Sequence, residues 1–219
     1  MTDSGPVADV YDCSDPDQRE AGLTAAAAAL SRGELVLLPT DTVYGVGADA
    51  VTPAAVTRLL AAKNRGRTMP VPVLIGEANT VAGLTLGLPQ AANDLAEAFW
   101  PGGLTLVVEH APSLAWDLGD AEGTVAVRLP DDDVARDLLR RTGPLAVSSA
   151  NRSGRPAATT AQEAVEQLGT HAAVVLDGGP RTGGAPSTIV DCTAPAPRVL
   201  RVGALPVDRL REVVPELMD

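Results

Sequence analysis

Leu35-Val36-Leu37-Leu38-Pro39-Thr40-Asp41-Thr42-Val43-Tyr44-Gly45-Val46-Gly47 is the stretch whose reading decides the fold. Four consecutive aliphatic residues describe a strand buried on both faces. Pro39 stops it, because proline has no N–H to give to a sheet ladder. Three hydroxyls (Thr40, Thr42, Tyr44), one carboxylate and two glycines then crowd the point where strand becomes loop. In open α/β sheets, ligands gather beyond such strand ends, so the stretch reads as a binding loop rather than a plain turn.

Working outward, helix and strand alternate without a break in composition. Asp17 and Glu20 have capping-box spacing for an alanine-rich helix that Gly33 ends, and residues 1–16 form a polar lead-in with room for a short strand. Thr52-Pro53 opens a second helix, on which Val56, Leu59, Leu60 and Lys63 share one stripe. Residues 70–75 read as an edge-like strand, 77–83 and 89–100 as helices, and 104–109 and 124–129 as strands separated by a loop. Asp131 starts a helix running through Arg141, and Pro144 to Val147 is a buried strand opening into Ser148-Ser149-Ala150-Asn151. Thr160 and Glu163 cap another helix; strands at 173–176, 188–190 and 198–202 and a helix from Pro206 complete the chain. The expectation is one α/β domain over residues 17–219, with an open, twisted mixed sheet flanked by helices.

Composition narrows the function. With 219 residues the chain can bury roughly 70% of its unfolded surface without disulfide or metal staples. Cys13, Cys192, His110 and His171 are too scattered for a zinc site or a disulfide framework, which predicts a reduced, cytoplasmic setting. Residues 78–93, the longest charge-free run, contain two glycines and a proline and are no membrane span; the acidic amino terminus is no signal peptide. A net charge of −11 argues against a surface that grips nucleic acid everywhere, though not against a local basic pocket.

Such a pocket has candidates. Lys63 is the chain's only lysine among 17 basic residues, and Lys63-Asn64-Arg65-Gly66-Arg67 packs three cations into five positions. Like charges so close call for an anion, and phosphate suits a lysine point charge beside arginine forks. Thr40 and Thr42, then Ser148, Ser149 and Asn151, then Ser187 and Thr188, all stand at strand ends, while Arg128 and Arg201 are charges within or ending strands. No Walker-type or Rossmann phosphate loop is present. Gly178-Gly179-Pro180-Arg181 reads as part of a flexible loop, and Asp131-Asp132-Asp133 as a helix start rather than a metal site.

Pro39-Thr40-Asp41-Thr42-Val43-Tyr44-Gly45, Lys63-x-Arg65, Ser149-Ala150-Asn151 and Ser187-Thr188-Ile189-Val190-Asp191, in that order, resemble the YrdC-like threonylcarbamoyl-AMP synthases. The resemblance implies a single open α/β domain with a concave, positively lined cavity. It implies that Thr40, Arg128, Ser149 and Ser187 contact L-threonine. Lys63, Arg67, Thr124, Asn151, Thr159 and Arg201 would contact ATP, with Arg65 completing the catalytic cationic pair with Lys63. The family's usual proline after Lys-x-Arg is here Gly66-Arg67, which loosens the backbone exit and weakens the assignment of Arg67. The implied reaction joins ATP, L-threonine and bicarbonate into threonylcarbamoyl-AMP and pyrophosphate. Mg2+ would accompany ATP, with Asp41 either helping to hold it or capping its own turn. Downstream threonylcarbamoyl-transferase proteins would use the product to modify tRNA, with at most weak tRNA contact by this chain and no membrane. Two other readings are a carbamoyl-phosphate-dependent relative of the same fold and a non-catalytic double-stranded RNA or tRNA-binding module.

Overall fold

The computed structural model describes residues 8–64, 66, 67, 71–112, 114, 116–121 and 123–219. Arg65 and Pro70 therefore lie outside the described residues. The strands are β1 (Asp9–Asp12), β2 (Leu35–Leu38), β3 (Gly45–Asp49), β4 (Val73–Leu74), β5 (Leu104–Glu109), β6 (Thr124–Arg128), β7 (Leu145–Ser149), β8 (Ala172–Asp177), β9 (Thr188–Asp191) and β10 (Arg198–Arg201). The helices are α1 (Pro16–Ser31), α2 (Pro53–Ala62), α3 (Val81–Leu84), α4 (Gln90–Phe99), α5 (Asp133–Thr142), α6 (Ala161–Leu168) and α7 (Val207–Arg211). The strands form one mixed sheet in the order β1-β8-β2-β3-β7-β4-β6-β5-β9-β10.

Two layers cover the sheet unequally. On one face α2, α4 and α6 bury Val56, Leu59, Leu95 and Ala164 against Val46, Leu106, Val127 and Val190. On the other, α1 and α5 pack Leu23, Leu30, Leu138 and Leu139 against Val36, Leu38, Val147 and Leu176. That second layer stops short. Side chains alternate along a strand, so with Leu104, Leu106 and Val108 in the first core, Thr105 and Val107 of β5 face away from it. The uncovered half-face of β4, β6, β5, β9 and β10 is where a hollow forms.

Several sequence expectations change here. The chain after Thr40–Tyr44 doubles back as β3, antiparallel to β2 and to β7. Its glycines answer a nonlocal demand: a Cβ on Gly45 would stand 2.6 Å from Val147 Cγ1. The strand read as edge-like is only β4, and it lies inside the sheet between β7 and β6. Helix α1 is capped by Asp15, which accepts from the Asp17 and Gln18 N–H groups with Pro16 in the first turn, so Asp17–Glu20 is not the cap. Likewise Asp132, not Asp131, caps α5. Asp9–Asp12 of the lead-in is one of the two edge strands, parallel to β8.

Cys13 and Cys192 are free and buried. Burial pushes their thiols up to about 11 and about 12. A thiol that keeps its proton in the fold but loses it when unfolded draws the equilibrium toward the unfolded chain as pH rises. Stability should be unaffected by these groups below the ordinary thiol value of 9 and fall above it. Urea unfolding at stepped pH measures this, and an aromatic disulfide reagent should label the native protein at neutral pH far more slowly than the unfolded one.

Candidate functional site

The hollow begins at the Pro39–Tyr44 turn. The Thr40 hydroxyl donates to the Val43 carbonyl at 2.6 Å and accepts from the Thr42 and Val43 N–H groups at 3.2 and 3.3 Å. One small side chain thus closes the turn from inside, as Ser and Thr do when they replace a backbone turn. The Thr40 and Thr42 hydroxyls are 3.0 Å apart and both are buried.

Arg128, ending β6, holds the turn from across the sheet. Its Nη2 donates to Asp41 Oδ1 at 2.6 Å, its Nη1 to the Thr42 hydroxyl at 3.0 Å and its Nε to the Gly102 carbonyl at 2.9 Å. Burial pushes its pKa down, and the Asp41 carboxylate opposes that shift. Asp41 also accepts from the Asp131 N–H at 3.0 Å. Rather than capping its own turn, Asp41 serves as the counter-ion of Arg128. Among the described residues, no group of three His, Cys, Asp or Glu could hold a metal ion.

Two further strand tips complete the lining. The Ser187 hydroxyl meets Thr105 Oγ1 at 2.7 Å and accepts from Arg201 Nη2 at 3.2 Å, while Arg201 Nε and Nη2 also donate to the Ser187 carbonyl. At the end of β7 the Ser149 hydroxyl donates to Asn151 Oδ1 at 2.6 Å. The Lys63 ammonium, buried at the C-cap of α2, donates to the Ser149 carbonyl at 2.6 Å, to Asn151 Oδ1 at 2.9 Å and to the Asn151 carbonyl. Thr40, Arg128, Ser149, Ser187 and Arg201 line one open hollow of about 560 Å³, with Lys63 and Asn151 directly behind Ser149. A second, mainly apolar pocket of about 820 Å³ adjoins it at Pro72, lined by Val107, Leu118, Ala126, Ile189 and Leu200, with Thr124 on its wall.

Other expected contacts are not gathered in the polar hollow. The Arg67 guanidinium, half exposed, forks onto Asp117 at 2.6 and 2.9 Å and reaches Asp120 at 3.2 Å. It braces the loop that supplies Leu118 to the apolar pocket, and the anion that meets this arginine is a carboxylate. Thr159 gives its N–H and hydroxyl to Glu163 Oε2, at 2.7 and 3.0 Å, which makes it part of the α6 cap. The Thr124 hydroxyl donates to the Ala121 carbonyl at 2.6 Å. Sequence reasoning missed Thr105, whose signal was a lone hydroxyl in an aliphatic strand, and the Arg181–Asp132 ion pair at 2.7 Å. The loop carrying Arg181, expected to be flexible, is tied down by it.

The geometry has counterparts. A family model of Sua5, YciO and YrdC, described as telomere recombination, matches residues 28–203. The chain belongs to the Sua5/YciO/YrdC family. Within that family, a Mycobacterium tuberculosis protein called "Putative threonylcarbamoyl-AMP synthase" is 54% identical over 206 residues, covering 94% of this chain and 95% of its own. The Bacillus subtilis threonylcarbamoyl-AMP synthase is 36% identical over 210 residues, 95% of this chain and 59% of its own. The crystal structure of Pyrococcus abyssi Sua5 complexed with L-threonine superposes with a TM-score of 0.89 at 32% identity, over 98% of this chain and 63% of the other. This Sua5/YciO/YrdC chain thus spans nearly the whole mycobacterial relative and about three fifths of the longer ones.

Proposed function

We propose that this chain is an L-threonylcarbamoyladenylate synthase, a nucleotidyltransferase forming threonylcarbamoyl-AMP and pyrophosphate from L-threonine, bicarbonate and ATP. One observation carries the reading: hydroxyls from three strand tips and the Arg128 guanidinium converge on one hollow, backed by the Lys63–Asn151 unit and joined to an apolar pocket. The names of the relatives and the L-threonine bound to Pyrococcus abyssi Sua5 support it.

In this reading the hydroxyls of Thr40, Ser149 and Ser187 and the Arg128 charge hold the amino acid, a small zwitterion with its own hydroxyl. The apolar pocket beyond Pro72 suits a flat base. Bicarbonate supplies CO2 to the threonine amine, giving a carbamate and water. A carbamate oxygen then attacks the α-phosphorus of ATP, a P–O bond forms, and the bond to the β-phosphate breaks to release pyrophosphate. Such a step needs two anions aligned and the leaving charge met by cations, with little proton transfer. Mg2+ would enter with the ATP phosphates as part of the substrate and neutralise their charge there, while Asp41 is paired with Arg128. The product would serve tRNA modification through partner proteins in the cytoplasm. An acidic chain, net −11, suits handing on a small molecule better than gripping tRNA.

Pyrophosphate release from ATP, measured with and without L-threonine and with and without bicarbonate, tests the reading. Release should require both. Release indifferent to threonine would point to another substrate.

A further inference from the structure

The hollow's lining does not include Arg181, yet Arg181 ties together segments that build it. Its Nη1 donates to Asp132 Oδ2 at 2.7 Å and to the Thr40 carbonyl at 3.4 Å. Its Nε donates to the Gly179 carbonyl at 3.1 Å and its Nη2 to that of Gly178. The guanidinium carbon lies 5.8 Å from the centroid of the Tyr44 ring, within the range of a cation–π contact. The residue's own N–H donates to the Thr159 carbonyl at 2.7 Å. Both members of the ion pair are largely buried, with side chains 14% and 10% exposed. Placing charges there is costly unless they are paired and hydrogen-bonded, as these are.

What the fork reaches is selective. Thr40 closes the turn at the threonine end of the hollow, and Tyr44 lines the same hollow. Asp132 directly follows Asp131, whose N–H holds Asp41, the counter-ion of Arg128. A helix cap alone would not need this arrangement, because Asp132 caps α5 with its other oxygen, which accepts from the Ala135 N–H. We propose that the Arg181–Asp132 pair is a positioning device for the amino-acid half of the site: it sets the Thr40 turn, and through Asp131 the Asp41–Arg128 pair, without touching substrate. The proposal rests on the functional reading above in taking that half as the L-threonine end.

Two mild variants test it. R181K keeps the charge but cannot fork onto several carbonyls and a carboxylate at once. D132N keeps the side-chain oxygen that caps α5 and removes the charge. Residues without ligand contact shift binding through a contiguous network by about 2- to 30-fold. That rise is expected in the KM for L-threonine, with kcat and the KM for ATP within about twofold of the parent. A purely structural role would move all three together, or lower Tm and leave the kinetics alone, and either result overturns the proposal; so does failure of both variants to fold. L-Threonine binding followed by calorimetry on the same proteins separates the two claims. Binding weakened in the variants, with no threonine-dependent pyrophosphate release from the parent, sinks the proposed reaction and leaves the positioning role standing. A parent chain that binds no L-threonine sinks both.

Discussion

Replacing Lys63 with alanine is expected to lower threonine-dependent pyrophosphate release by about two to three orders of magnitude, the loss seen when one preorganised donor to developing charge is removed. Lys63 closes α2 as its C-cap, where a cation complements the helix dipole. Its ammonium then turns onto the Ser149–Asn151 segment, donating to two main-chain oxygens and one amide oxygen. The lysine therefore has two tasks. It holds the β7 tip in shape, and it puts the chain's only lysine charge beside the hollow into which Ser149 points. Truncation leaves those partly buried acceptors short of a donor, which costs up to about 1–3 kcal/mol of stability. Lys63→Met separates the tasks from simple loss of bulk, since it keeps the apolar stem and drops the charge. Turnover of either variant near that of the parent chain, at matched fraction folded, would remove Lys63 from the chemistry.

How much of this was legible beforehand depends on how local the cause is. Runs such as Leu35–Leu38 and Leu104–Glu109 carry their strand character in their own residues, and the structure has strands with those bounds. Strand β3 was not legible, because Gly45 and Gly47 are poor strand formers whose reason lies elsewhere in the fold: a Cβ would stand 2.6 Å from Val147 at Gly45 and 3.2 Å from Leu38 at Gly47. The interior place of β4, two residues long, is decided by neighbours far along the chain. The same division runs through the site. Hydroxyls at strand ends announced Thr40, Ser149 and Ser187, and all three line the hollow. The carboxylate partners of the arginines did not announce themselves: Asp41 is 87 residues from Arg128, and Asp117 is 50 from Arg67. Charge clusters in sequence invite a ligand, but only the fold says which of them have already been neutralised from within.

The Asp41–Arg128 pair is the place where such neutralisation should matter most for stability. Asp41→Ala is expected to destabilise the fold by about 3–5 kcal/mol, the cost of stranding a buried charge by deleting its partner. Side-chain exposures of 17% and 7% mean that water can do little to replace the lost carboxylate. The Thr42 hydroxyl and the Gly102 carbonyl would remain as acceptors for the guanidinium, so hydrogen bonding survives in part while the charge goes unmet. The Asp131 N–H loses its acceptor at the same time, which loosens the start of α5 from the binding turn. Asp41→Asn, which keeps an acceptor oxygen, should cost less than alanine. The decisive comparison is Asp41→Ala combined with Arg128→Met: removing the stranded charge should recover part of the loss, so the double variant should be less damaged than the two single changes summed. Urea unfolding of the four proteins measures the cycle. Strict additivity would mean that the two groups fold independently, and that the turn at the head of the hollow is held by Thr40 and not by the ion pair.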